Sequence, residues 1–190
     1  MPLLAGSIIV TRRVGWMRLD LDAALRLGTL IFGTRWFFWS FQQMTAKYDK
    51  LGLKFLYPEN WKLIDDVSGS PQVITLETPD GSTTWSVHLY PCETDVDLIL
   101  KEAIDSLQQT YEDIEISPCE RSFGATPSSG VEALFYCLDF LIRAELQIVK
   151  TDEKWLMFWT QAEDRDYDNK KLVFKAIAIS LLQSLTPDAA

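Results

Sequence analysis

Leu51-Gly-Leu-Lys-Phe-Leu-Tyr-Pro-Glu-Asn-Trp-Lys-Leu63 is the stretch whose reading decides the fold of this chain. Its aromatic and aliphatic residues predict a short strand over Lys54–Tyr57, and Pro58-Glu59-Asn60 supplies a turn. Trp61 then leads a second strand over Lys62–Ile64. The same stretch separates an unusual N-terminal piece from a regularly patterned remainder.

The N-terminal piece differs in charge as well as in pattern. Residues 1–43 hold five Arg, no Lys and two Asp, whereas residues 44–190 hold ten Lys, three Arg and 25 Asp plus Glu. Three readings of residues 1–43 stay open. They are a signal peptide, a membrane-associated segment over residues 16–41, and an extension ahead of a true translation start at Met44. Against the first, Arg35 interrupts the apolar Leu27–Phe41 run and no A-x-A-like site follows it. Against a full span, that run falls short of the roughly 20 residues a membrane helix needs. If the segment is present, Trp16, Leu19, Ala23, Leu27 and Leu30 form one helical face. Trp36, Phe37, Phe38, Trp39 and Phe41 then require burial or a membrane surface. The start at Met44 is the favoured reading, with residues 44–190 as a single domain.

From Leu51 onward the alternation is regular. Ile74 and Leu76 fall on one face of a strand, and Trp85, Val87 and Leu89 on one face of its return. Pro79-Asp80-Gly81-Ser82 between them is a turn, so residues 72–90 form a hairpin. Thr94 opens a helix whose Asp95 and Asp97 suit the positive end of its dipole. Along it Val96, Ile99, Leu100, Ala103, Ile104, Leu107 and Tyr111 form one apolar stripe. Glu115–Arg121 reads as a strand, Gly124–Gly130 as a loop, and residues 131–150 as either two runs or one long bent hairpin. Trp155-Leu-Met-Phe-Trp159 is apolar at every position, which predicts a strand in the middle of a sheet with layers on both sides. Asn169–Leu185 closes the chain as a helix with Leu172, Val173, Ala176, Ile177 and Ser180 on one face, widened by Phe174, Ile179 and Leu182. Strands cluster in hairpins rather than alternating singly with helices. The fold class is therefore α+β, with a central antiparallel β-sheet of about six strands packed with two main helices.

Phe55-x-Tyr57-Pro58-x-x-Trp61, together with Tyr167, Phe174, Ile177 and Ser180 near the end, resembles the PsbP-like/Mog-type α/β/α sandwich superfamily. The resemblance runs over roughly residues 51–185 and implies an antiparallel sheet with helices packed on it. Members of this superfamily include extrinsic photosystem subunits, a Ran-binding nuclear factor, and bacterial DcrB-type and Eag-type proteins. The resemblance implies protein binding rather than a shared catalysis, and it carries no site residue onto this chain.

Catalytic constellations are scarce. His88 is the one histidine, and its place between Val87 and Leu89 turns it away from their packed face. A zinc site from His88, Cys92, Cys119 and Cys137 lacks the tight C-x₂₋₄-C pair that structural sites bring. Ser128-Ser129-Gly130 lacks the nucleophile elbow, and Ser128 has only His88 as a base. Asp164, Asp166 and Asp168 alternate like a calcium loop, but the sixth and twelfth positions hold Asn169 and Lys175 where Gly and Glu are required. Those aspartates read instead as a loop, with Asp168 or Asn169 capping the last helix. Neither phosphate-binding glycine motif occurs. No catalytic, cofactor-binding or metal residue is assigned, and no cofactor is expected.

The net charge of −9 disfavours nucleic acid, which selects a basic surface. Three widely spaced cysteines imply a reducing compartment, although one pair among them stays open as a disulfide. The expectation is a non-catalytic, cytoplasmic protein-interaction module that is chaperone- or adaptor-like, with a protein partner, a homodimer as an alternative, and no membrane. Its sharpest version is an Eag-type chaperone with a broad exposed apolar sheet face. The alternative is a small enzyme or ligand binder with a deep polar pocket.

Overall fold

The computed structural model describes residues 44–66 and 68–185. All the readings of residues 1–43, from leader to aromatic cluster, lie outside the described residues. The elements are β1 (Thr45–Lys50), β2 (Leu53–Pro58), β3 (Lys62–Asp66), β4 (Gln72–Glu77), β5 (Thr84–Pro91), α1 (Val96–Thr110), β6 (Glu115–Phe123), β7 (Thr126–Cys137), β8 (Phe140–Lys150), β9 (Lys154–Glu163) and α2 (Asp164–Leu185). Seven strands, rather than about six, form one antiparallel sheet in the order β3-β4-β5-β9-β8-β7-β6, and β1-β2 forms a separate two-stranded sheet.

The opening stretch forms the expected two strands and the turn between them. Trp61 N–H donates to Pro58 O at 2.9 Å, closing the expected turn. However, β2 pairs with β1, and β3 pairs with β4 in the large sheet. β1 escapes the sequence pattern because Tyr48 is its one fully buried side chain. Tyr48 stacks on Phe55 at 4.9 Å, and its hydroxyl donates to Asp65 at 3.2 Å, fastening the small sheet to β3.

Alternation along the strands divides the core diagonally. On β4 and β5 the apolar side chains Ile74, Leu76, Trp85, Val87 and Leu89 face α2 and the β1-β2 sheet. On β7 and β8 they face the other way, and Val131, Ala133, Phe135, Ala144, Leu146 and Ile148 pack against α1. β9 is central and serves both halves, with Leu156 and Phe158 in one cluster and Met157 and Trp159 against the other. That dual role is the physical reason for its unbroken apolar run.

Three boundaries differ from the sequence reading. Gly124–Gly130 is not a loop. Thr126–Gly130 belongs to β7 and pairs with β6, leaving Gly124, at φ +65°, and Ala125 as the turn. Gly130 is required by a close approach of β8, since a Cβ there would sit 1.8 Å from Leu146 O. The helix α1 is capped by Asp95 rather than Thr94, with Asp95 Oδ1 accepting from Asp97 N–H at 3.1 Å. The helix α2 starts at Asp164, so Asp164 and Asp166 lie in its first turn and Asp168 follows within the helix, rather than in a loop capped at Asp168 or Asn169. Carboxylates there are stabilised by the helix dipole. Its buried face is Tyr167, Phe174, Ile177, Ala178, Leu181 and Leu182, while Leu172 is exposed. Packing around Phe174, which meets Trp61 edge-on at 6.2 Å, rotates the helix by one position from the predicted face.

Candidate functional site

The diagonal core leaves the α2-facing side of β6, β7 and β8 polar. Arg121 on β6, Glu132 on β7, and Arg143, Glu145 and Gln147 on β8 share that side by register. The C-terminal half of α2 is fastened to β2, with Ser180 Oγ and Ser184 Oγ accepting from the N–H groups of Leu56 and Lys54 at 3.0 and 3.2 Å. Its N-terminal half rides along the polar strands and forms one wall of a groove of about 770 Å³. Trp85, Phe123, Phe158 and Phe174 line the groove's apolar side, and Arg121, Lys171, Leu172 and Lys175 stand along its rim.

The groove's polar groups are held in place by one another. Arg121 Nη2 donates to Glu145 at 2.9 Å and reaches Glu132 at 3.5 Å. The hydrogen bond to Glu145 raises the guanidinium pKa against the opposing effect of burial. Arg143 lies over the Tyr167 ring at 5.3 Å, and its Nε donates to Asp164 at 2.7 Å. Burial alone would lower the Arg143 pKa, but the hydrogen bond and charge of Asp164 outweigh it. Tyr167 shares a hydrogen bond with Thr160 at 2.8 Å, and burial together with the Glu145 charge pushes its phenol pKa well up. Gln147 accepts from Ser128 Oγ at 2.9 Å and donates to Cys119 O at 3.3 Å. Phe123 meets Phe158 edge-on at 5.2 Å, just ahead of the Gly124 turn. Trp85 is fully buried, and its indole N–H has no acceptor among the described residues.

The charge balance here departs from the rest of the domain. Four cations and three carboxylates line the groove, whereas residues 44–190 carry 13 cations against 25 carboxylates. Two of the three arginines of that region lie here. Arginine on one side of a sheet is a usable signal, but alternation alone does not show that Arg121 and Arg143 share a face. That depends on β6, β7 and β8 being paired in register.

The residues singled out in sequence are dispersed. His88 lies on the α1 side of β5, stacked on Trp159 at 6.2 Å, with Nε2 3.2 Å from Ser86 Oγ. Ser128 is on the opposite side, engaged by Gln147, so the two do not meet. Cys92, Cys119 and Cys137 are all free thiols. Cys119 lies on the groove side of β6, whereas Cys137 packs with the α1 cluster. Asp164 and Asp168 are engaged by Arg143 and Lys171. Among the described residues no group of three or more His, Cys, Asp or Glu side chains is placed to hold a metal ion. Among them no helix is long and apolar enough to cross a membrane.

No family model and no curated protein matches this chain. Solved structures do. Cyanobacterial PsbP (CyanoP) from Synechocystis sp. PCC 6803 is similar at 16% identity and a TM-score of 0.53, over 73% of this chain and 91% of that one. A protein from Bacteroides thetaiotaomicron VPI-5482 is similar at 11% identity and a TM-score of 0.51, over 73% of this chain and 47% of that one. A Pseudomonas aeruginosa protein of unknown function, described as a putative regulator, aligns at 7% identity over 77% of this chain and 99% of its own length, with a TM-score of 0.45. At these identities the likeness is one of fold. The chain has an α+β, PsbP-like fold.

Proposed function

We propose that this domain is a non-catalytic protein-interaction module that receives an extended segment of a partner protein in the groove between α2 and the β6–β8 strands. The groove itself is the observation that carries this reading. It combines an apolar side, a rim of positioned cations and the neighbouring β6 edge strand, features that suit an extended chain with alternating apolar and polar side chains. Arg121 and Arg143 are already oriented by Glu145 and Asp164, so little ordering is left for binding to supply. The chain's one imidazole lies on the other side of the sheet from this groove, which favours binding over acid–base chemistry. The sheet's apolar side chains are packed under α1, α2 and the small sheet, and its open quadrant is polar, so an Eag-type role in which the sheet face itself shelters apolar segments is not adopted. We place the protein in the cytoplasm on its three free thiols, and its acidity disfavours nucleic acid.

A photo-crosslinking residue at Leu172, which is 71% exposed on the rim, tests this in cells of the source organism. Discrete adducts to one or a few proteins are expected there, with none from Leu98 on α1. Adducts at both positions, or at neither, refute the assignment. The second reading is a small-molecule binder, which the groove's volume favours because ligand sites commonly span about 300–1,000 Å³. Native mass spectrometry that finds a retained small molecule in the purified protein would select that reading.

A further inference from the structure

The turn between β7 and β8 concentrates exposed apolar surface. Seven large hydrophobic side chains are exposed among the described residues, and Tyr136, Leu138 and Phe140 of this one turn are three of them. Leu138 is the extreme case at 81% exposure. It also stands at φ +57°, the first central position of a two-residue turn closed by the Cys137–Phe140 pair. Glycine is favoured at that position because it has no Cβ to clash. A leucine there opposes both backbone sterics and solvation, and a feature held against two local preferences points to function.

The charges around the turn indicate what it meets. Asp139 lies in the turn itself. Glu115 opens β6 opposite Leu134, and Glu163 ends β9 opposite Ile142, so both junctions lie at this end of the sheet. Arg143 and Arg165 are the nearby cations, and they are engaged by Asp164 and Glu163. Asp139, Glu115 and Asp113 have no ion pair with a described cation, so the charge offered outward is negative.

We infer that the β7–β8 turn is a second interaction surface, separate from the groove, and that it inserts Leu138 into an apolar pocket rimmed by Lys and Arg on another protein. The apolar tip supplies affinity through burial, and the carboxylates around it select a basic rim and repel an acidic one. An anionic membrane surface is disfavoured by the same charges.

Four measurements on the full chain test this. Leu138→Gly relieves the backbone strain, so its melting temperature is expected to equal or exceed that of the parent; a fall of more than about 3 °C makes Leu138 a packing residue and overturns the proposal. A photo-crosslinker at position 138, used in source cells, is expected to attach to apolar residues flanked by Lys or Arg on a different protein. Asp139→Lys is expected to cut that adduct by about tenfold, while Leu172→Glu in the groove leaves it unchanged. No adduct at position 138, or one to a second copy of this chain, overturns the assignment. Cosedimentation with phosphatidylcholine or phosphatidylglycerol vesicles is expected to be negligible. Binding to either that a Tyr136→Thr/Leu138→Gly/Phe140→Thr variant loses would assign the turn to membranes instead.

Discussion

His88 gives the most direct test of how this sheet is covered, because it is the chain's one histidine and its imidazole resonances need no assignment. The ring packs against Trp159, and the residues opposite it in the ladder are Val73 and Met157. Burial lowers its pKa from 6.5 to about 4, and no neighbouring carboxylate offsets it. The folded value lies below the unfolded one, so between pH 6.5 and about 4 the unfolded chain binds a proton that the folded chain refuses. Stability from this residue is therefore complete above pH 6.5 and is lost as pH falls through that window. The full difference corresponds to about 3 kcal/mol, and the residue's partial exposure reduces the expected loss to about 1–2 kcal/mol. His88→Phe keeps an aromatic ring against Trp159 and removes the titration. NMR titration of the imidazole, with urea unfolding of both proteins at pH 7 and pH 4.5, reads the effect; acidification should cost the parent more than the variant. An imidazole midpoint at or above 6.5, or equal losses in the two proteins, would refute the claim that this ring is shielded.

Three further substitutions probe the packing of β6, β7 and β8. Gln147→Leu leaves Ser128 Oγ and Cys119 O buried without their partner and should cost about 2–4 kcal/mol in urea unfolding. Adding Ser128→Ala should cost less than the sum of the single changes, by about 1 kcal/mol of coupling, and strict additivity would mean the pair does not act as a unit. Gly130→Ala places a Cβ 1.8 Å from Leu146 O and 2.8 Å from Leu146 C, both backbone atoms that cannot swing aside. A loss of at least about 2 kcal/mol is expected from overpacking, and a melting temperature unchanged from the parent would contradict that close approach.

The parts of the fold legible in sequence were those where a single element carries its own signal. The 72–90 hairpin announced itself by a Pro-Asp-Gly turn between two alternating strands. The α1 stripe did so by its period, and β9 by apolar residues at every position. What stayed hidden depends on partners. β1 buries Tyr48 against Phe55 and Asp65, and one aromatic in six residues is no pattern until β2 is beside it. Gly124–Gly130 reads as a loop because Ser and Gly are turn formers, yet Gly130 is where the Leu146 backbone comes too close for any side chain. The helical spacing of Leu172, Val173, Ala176 and Ile177 puts Leu172 inward on α2. Phe174 and Tyr167 are larger, and burying them decides the rotation. The groove is invisible for the same reason, since its walls come from β5, β6, β8, β9 and α2 and meet only when the sheet is assembled.

The diagonal core explains why a groove exists at all. A sheet covered evenly on both sides would carry apolar residues on both faces of every inner strand, as β9 does. Here β4 and β5 turn their apolar side to α2 and the small sheet, and β7 and β8 turn theirs to α1. Two quadrants of the sheet are therefore left without an apolar layer. One holds His88 and Ser86, where Trp159 spreads over the gap and leaves the imidazole shielded. The other holds Arg121, Arg143, Glu145 and Gln147, where α2 stands alongside and the gap stays open. Filling the second quadrant with apolar side chains would close the groove without disturbing either half-core. Arg121 is exposed and Arg143 half-buried, and ion pairs at such positions contribute only about 0–1 kcal/mol, so the fold rests little on them. Their concentration here, in an otherwise acidic, lysine-dominated region, is what sets this quadrant apart from the rest of the domain.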